Sequence, residues 1–317
     1  MKTFLIHTLK FFIPLLILLI PLDYVLSYYL SQSNEYPGEI EVWNDIYQSK
    51  ATCDVAVYGS SRAWAHINPE ILKDSLHAEV YNFGMDGHNF WLQYLRHLEF
   101  LKHHPQPKTI ILSVDVFTLQ KRTELYQQSQ FLPYMLWNAN IRKYTSSYVG
   151  FKKSDYYIPL LRYSGKTTSL KTILKNAFSK HTEEKYRKRG FLGLDRAWNF
   201  DFEKAKAANV TYQIKMDSAT LVLFENFIQE CRNTKTELIF VYTPEYIEGQ
   251  KLFVNRSELM SYYKTISEKY AIPFYDYSGD SLCLDKKYFY NASHLNKQGA
   301  EIFSRKLASD LKARTKN

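Results

Sequence analysis

Asp54–Val55–Ala56–Val57–Tyr58–Gly59–Ser60–Ser61–Arg62 is the stretch that decides the fold. Its first half is apolar on successive residues, with no alternation of polar and apolar positions. That pattern fits a strand buried on both faces, and such strands belong to parallel sheets. Gly59–Ser60–Ser61 ends the run in a turn that opens a helix, which sets a serine hydroxyl at a helix N-terminus.

The same alternation continues outward. Asn68 is a plausible cap for a helix over Pro69 to Leu76, with Pro69 at its first position. Glu79 to Phe83 reads as a second strand, closed by Gly84–Met85–Asp86–Gly87. Phe90 to Lys102 reads as an amphipathic helix, and Thr109 to Val114 as a third strand ending at Asp115. After a long interruption the pattern resumes. It has a helix from Ser218 to Arg232, a strand from Glu237 to Tyr242, a helix from Ser257 to Tyr270, a short strand over Ile272 to Asp276, and a helix from Asn296 to Ala313. Strands alternating with helices predict an α/β domain on a parallel sheet. The interruption, about residues 120–211, is aromatic and basic with weak periodicity and reads as an insertion. Between Phe151 and Met216 the chain holds fifteen Lys/Arg against six Asp/Glu, which accounts for the whole net charge of +9.

At the other end, Phe11 to Leu22 carries no charge, and apolar character continues to Leu30. About 20 such residues span a bilayer core. Lys2 and Lys10 precede the run, so the positive-inside rule leaves the N-terminus in the cytoplasm and the bulk of the chain outside. No small-x-small cleavage site follows, which favours an uncleaved signal anchor over a signal peptide. Residues 1–31 are therefore expected to be a transmembrane anchor in contact with lipid, 32–50 a tether with a short helix, and 51–317 the functional domain. The anchor argues against nucleic acid as the basic segment's partner. Cys53, Cys231 and Cys283 are widely spaced and odd in number, and three buried free thiols are the simplest reading. No metal-ligand spacing and no cofactor motif is present.

Ligands of open parallel sheets bind beyond the carboxyl ends of the strands. Those ends carry Gly59–Ser60–Ser61–Arg62, Asn82 to His88, and Ser113–Val114–Asp115, while Asn291–Ala292–Ser293–His294–Leu295–Asn296 precedes the last helix. This order of a serine on the first turn, glycines on the second and a late histidine resembles the SGNH (GDSL-like) hydrolase superfamily, over roughly residues 53–119 and 236–312. The resemblance implies a three-layer, flavodoxin-like α/β domain. It makes Ser61 the nucleophile and an oxyanion donor through its own N–H, Gly87 a second donor, and His294 the general base. Two positions depart from the pattern. Asp115 stands where the family has an oxyanion-binding Asn, and Asn291 stands where it has the Asp that supports the base. Asn291 can still orient the imidazole, or Asp276, Asp280 or Asp285 assists.

A tethered domain of this kind is similar to the transfer proteins of teichoic-acid D-alanylation and to alginate-type polysaccharide O-acetyltransferases. What that implies is a bacterial inner-membrane protein with an extracytoplasmic domain. It would pass an acyl group, O-acetyl in the first instance, to a cell-surface polysaccharide beside a multi-pass membrane acyltransferase. In the insertion, Trp198, Tyr156, Tyr157 and Tyr163 are candidates for stacking on sugar rings. Arg62, Asp115, Arg162, Arg187 and Arg189 are candidates for contacts to substrate. The alternative is a catalytically silent polymer-binding or scaffold subunit.

Overall fold

The computed structural model describes residues 1–33, 38–178 and 186–314. Parts of the expected tether (34–37) and of the expected insertion (179–185) lie outside the described residues. In chain order the elements are α1 (Lys2–Ser31), α2 (Glu39–Tyr47), β1 (Val55–Gly59), α3 (Ser61–His66), α4 (Pro69–Leu76), β2 (Val80–Asn82), α5 (Phe90–His103) and β3 (Thr109–Ser113). Next come α6 (Ala139–Thr145), α7 (Thr167–Phe178), α8 (Asp201–Ala207), α9 (Ser218–Asn233), β4 (Glu237–Tyr242), α10 (Ile247–Gln250) and α11 (Arg256–Tyr270). The chain closes with β5 (Phe274–Asp276), β6 (Phe289–Asn291), β7 (His294–Leu295) and α12 (Lys297–Arg314). They form two compact units. One joins Met1–Asn44 to Arg122–Lys185, and the other joins Asp45–Lys121 to Tyr186–Asn317. The region expected as one insertion is thus divided, and its second part returns to the α/β unit.

In the α/β unit five parallel strands pair in the order β2-β1-β3-β4-β5. β1 is buried along its whole length, with Val57 level with Ile111 of β3, which in turn is level with Ile239 of β4. On one face Val55, Val57, Ile111 and Ile239 pack with Leu72 of α4 and with Phe303, Leu307 and Leu311 of α12. α4 starts as its sequence predicts, with the Asn68 side chain accepting the Glu70 N–H at 3.0 Å and Pro69 in the first turn. The chain reverses its direction of travel across the sheet at β1, between β2 and β3. That is the place where an open sheet leaves a crevice at its carboxyl edge, and Ser60 and Ser61 follow there. The three cysteines are free and buried, and burial pushes the thiols of Cys53 and Cys231 up to about 12 and that of Cys283 to about 11.

The other unit is organised around α1, whose stretch Ile6–Ser31 (26 residues, mean hydropathy 2.1) is long and apolar enough to cross a membrane. Its acid Asp23 is buried. The carboxylate takes both terminal nitrogens of Arg162 at 2.6 Å and the Leu160 N–H at 2.6 Å. Arg162 also donates to the Leu132 carbonyl and Ser27 Oγ, and Ser27 bonds the Tyr163 hydroxyl at 2.8 Å. This corrects the expectation that Arg162, Tyr156 and Tyr163 contact a polymer. Arg162 neutralises an acid that the apolar helix could not otherwise bury, and both tyrosines are core residues.

Close approach between the turn after β2 and α3 generates a test of the packing. A Cβ on Gly84 would lie 2.6 Å from the Trp64 backbone N and 3.0 Å from Ala63 Cβ. Gly84→Ala is therefore expected to cost about 1–3 kcal/mol of stability, read as a shift in the urea midpoint. An unchanged midpoint would show that the turn does not bear on α3.

Candidate active site

The two serines of the deciding stretch have different tasks. Ser60 caps α3: it accepts the Arg62 N–H at 3.2 Å and donates its own hydroxyl to the Asp115 carboxylate. Asp115 also receives the Phe117 N–H at 2.7 Å and the Thr118 hydroxyl, which folds back the end of β3. It is fully buried in that clasp, and this corrects its assignment to substrate. Ser61 is the first residue of α3, so its N–H has no carbonyl one turn earlier. Its Oγ lies 2.8 Å from His294 Nε2.

The histidine is delivered by a two-strand hairpin, β6–β7, in which Asn291 pairs with His294 across Ala292 and Ser293. Asn291 Oδ1 accepts the backbone N–H of Ser293 at 3.0 Å and of His294 at 2.9 Å, a side-chain turn that closes the hairpin. Since both partners are backbone donors, the atom facing them is the amide oxygen. The same oxygen is 3.0 Å from His294 Nδ1. Nδ1 must therefore carry the proton, Nε2 is the free acceptor, and Ser61 donates to it. Asp276, Asp280 and Asp285 are engaged elsewhere, with the Ser278 N–H, Lys306 and Lys287 respectively. Asn291 is the partner of Nδ1.

His294 is packed from two sides. Tyr290 stacks on the ring at 5.3 Å and 13°, and His66 meets it edge-on at 5.8 Å and 88°. Burial, and then the nearby charge of Arg62, pushes its pKa down to about 3. Arg62 is buried beneath the site. It bonds Thr243 Oγ1 at 3.1 Å and Glu245 at 2.9 Å and lies 4.7 Å over the Tyr242 ring. Glu245 in turn holds the Tyr242 hydroxyl at 2.7 Å and Arg256 at 3.2 Å. Arg62 is thereby corrected from a substrate ligand to a buried ionic tie between α3 and the end of β4. His66 adds a second tie. Its Nε2 accepts the Leu295 N–H at 3.0 Å, so its Nδ1–H faces Thr243 Oγ1 at 2.9 Å. One short helix thus carries Ser61 at its start and, at its end, the residue that holds the histidine strand.

Residues 186–199 frame the same place. Arg189 O accepts from Asn82 N, Leu192 N donates to Trp64 O, Leu194 O accepts from Lys297 N, and Asn199 N donates to Tyr290 O. Arg187 is buried, lying 4.3 Å over the Trp64 ring and donating to the Gly84 carbonyl at 3.0 Å. Arg189 pairs with Glu79 at 2.8 Å and lies 3.6 Å from Glu70. The buried Arg187 is consumed in fixing this segment to α3 and the turn after β2, which corrects its assignment to substrate, whereas Arg189 ties the segment to the β2 edge with its side chain still 26% exposed. Trp198 is half-buried between Tyr246 and Phe202 and gives its indole N–H to Glu203. Gly87 sits in the turn after β2 at φ +67°, and that turn is joined to the end of β1 by Met85 N to Gly59 O at 2.9 Å. His66, Tyr290, Thr243 and Glu245 escaped the sequence reading. Only a residue's partners mark it as part of a site, and these lie far off in the chain.

No protein-family model matches the sequence, and no match was found among curated proteins.

The low pKa of His294 sets a pH signature. In the unfolded chain the group takes up its proton near pH 6.5, before the folded form does, so this residue weakens folding as pH falls from about 6.5 towards 3. Nitrogen-15 NMR of the ring is expected to show a neutral, Nδ1-protonated imidazole from pH 7 down to pH 5. A half-point near 6.5 would contradict the described environment.

Proposed function

We propose that the chain is a membrane-anchored SGNH-type serine acyltransferase or esterase. In this reading it acts outside the cytoplasm of a bacterial cell on an acyl group, in the first instance O-acetyl, of a cell-surface polysaccharide. A multi-pass membrane acyltransferase is the partner that would supply the acyl group. The observation that carries the reading is the line from Ser61 Oγ through the His294 ring to Asn291 Oδ1, with each proton position fixed by its neighbours. α1 and its apolar stretch support the anchor.

The chemistry follows from the proton positions. As Ser61 Oγ attacks the ester carbonyl carbon, its proton passes to His294 Nε2, and the carbonyl oxygen takes the negative charge near the start of α3 and the Gly84–Gly87 turn. Collapse breaks the ester bond, and the imidazolium returns the proton to the departing alcohol. The acyl group remains on Ser61. A polysaccharide hydroxyl then repeats the sequence as acceptor, or water does in the esterase case. The weak point is the base. Arg62 opposes charge on the ring, and a neutral Asn291 does nothing to offset it, so the proton-accepting step has little driving force.

Two experiments follow. A serine-directed fluorophosphonate is expected to label Ser61, with labelling abolished in Ser61→Ala and kept in Ser60→Ala. An unlabelled wild-type chain would favour the silent scaffold. Asn291→Asp is expected to raise small-ester turnover roughly tenfold, because a carboxylate at Nδ1 lifts the imidazole pKa by one to three units. A loss of turnover would mean that the Oδ1-closed hairpin does not tolerate the charge.

A further inference from the structure

The unit built on α1 holds an open pocket of about 720 Å³ that the proposed chemistry does not use. Its lining includes Arg142 and Lys143 on α6, and Phe151, Lys153, Tyr156 and Tyr157 on the following segment. It contains three cations and no carboxylate. Lys143 and Lys153 are exposed and form no ion pair among the described residues, and Arg142 donates to the Tyr157 hydroxyl and lies 5.1 Å over its ring. Three like charges gathered without a counter-ion repel one another, and an anion seated between them relieves that repulsion.

The position of the pocket along α1 names the source of the anion. Among the described side chains of α1, those before Asp23 are exposed or only partly covered, whereas Asp23, Ser27 and Leu30 are buried against the rest of the unit, so the exposed apolar stretch that ends at Leu22 is the part left for hydrocarbon. Asp23 therefore falls where hydrocarbon gives way to headgroups. Asp23 is bonded to the Leu160 N–H and to Arg162, and a chain of turns runs from there to the pocket wall: Leu161 N to Ile158 O, and Ile158 N to Ser154 O. Exposed apolar and aromatic side chains accompany the lining residue Tyr157. Trp137 is 51% exposed with its indole N–H on the Tyr157 carbonyl at 2.9 Å, and Tyr157, Ile158 and Leu161 are 41%, 46% and 39% exposed. Amphipathic rings at headgroup depth are a mark of the membrane interface.

We infer that this pocket binds the phosphate headgroup of an anionic lipid, with Arg142, Lys143 and Lys153 as its ligands and the exposed Trp137, Tyr157, Ile158 and Leu161 side chains against the acyl chains. The inference rests on the reading of α1 as a membrane anchor and is independent of the Ser61 chemistry.

The test uses the full chain in maltoside micelles with equal amounts of phosphatidylglycerol and phosphatidylcholine, with retained lipid counted by native mass spectrometry. One phosphatidylglycerol is expected to be retained with at least tenfold preference. The preference should fall to near parity in Lys143→Gln/Lys153→Gln, while Lys171→Gln/Lys175→Gln on α7, an equal loss of charge, keeps it. No preference, or equal effects of the two double variants, would overturn the site. Displacement of the lipid by equimolar glycerol phosphate would reassign the pocket to free phosphate, and displacement by polygalacturonate would reassign it to an acidic polymer. Either result overturns the lipid assignment. Carbonate extraction of membranes reads the anchor separately. If the chain stays with the membrane but shows no lipid preference, the pocket inference fails and the anchor stands. If the chain is extracted, both fail.

Discussion

One amide oxygen organises the candidate site of this molecule. Asn291 Oδ1 receives the N–H groups of Ser293 and His294 and the Nδ1–H of the same histidine. The two backbone donors shape the hairpin. They also identify the atom as an acceptor, which leaves the imidazole only one way to place its proton. Ser61 then faces a lone pair and not a competing N–H. An aspartate would supply the same geometry with charge. The asparagine supplies geometry alone.

The surroundings hold that arrangement in register but do not make the base strong. Arg62, Glu245, Tyr242 and Arg256 form a buried ionic layer below α3, and breaking such a layer by removing one partner is costly. It ties the Ser61 helix to the end of β4, while His66 ties the same helix to the strand of His294. The same arginine disfavours charge on His294. Rigidity of the pair and basicity of the histidine therefore draw on one residue in opposite directions. Any catalysis here is limited by proton transfer more than by placement.

Much of the framework was legible in the sequence. Parallel strands buried on both faces write themselves as unbroken apolar runs, so β1, β3 and β4 were found within a residue or so. Asn68–Pro69 marks a helix start by the missing N–H of proline and the capping oxygen of asparagine. The hairpin β6–β7 was not legible, because strands of two or three residues carry no period. Of α3 only the start was legible, as the turn at Gly59–Ser60–Ser61 that opens a helix, and not its extent of six residues. The region around 120–211 failed for another reason. Its first part is short turns around the helices α6 and α7, with Arg162 fixed by Asp23, a partner 139 positions away, and its second part is an irregular strap along β2, α3 and the hairpin, followed by α8. Arginines are almost never buried without a partner, so Arg62, Arg162 and Arg187 read as surface ligands until their partners were seen.

The central claim is that Ser61 and His294 act as one nucleophile–base pair. The rate at which an activated acetyl ester acylates Ser61, followed by rapid-quench mass spectrometry of the labelled peptide, measures that coupling directly. In His294→Ala the rate at Ser61 is expected to fall by about 100-fold or more, with the site of labelling unchanged. Acylation of Ser61 at the wild-type rate without His294 would contradict the account.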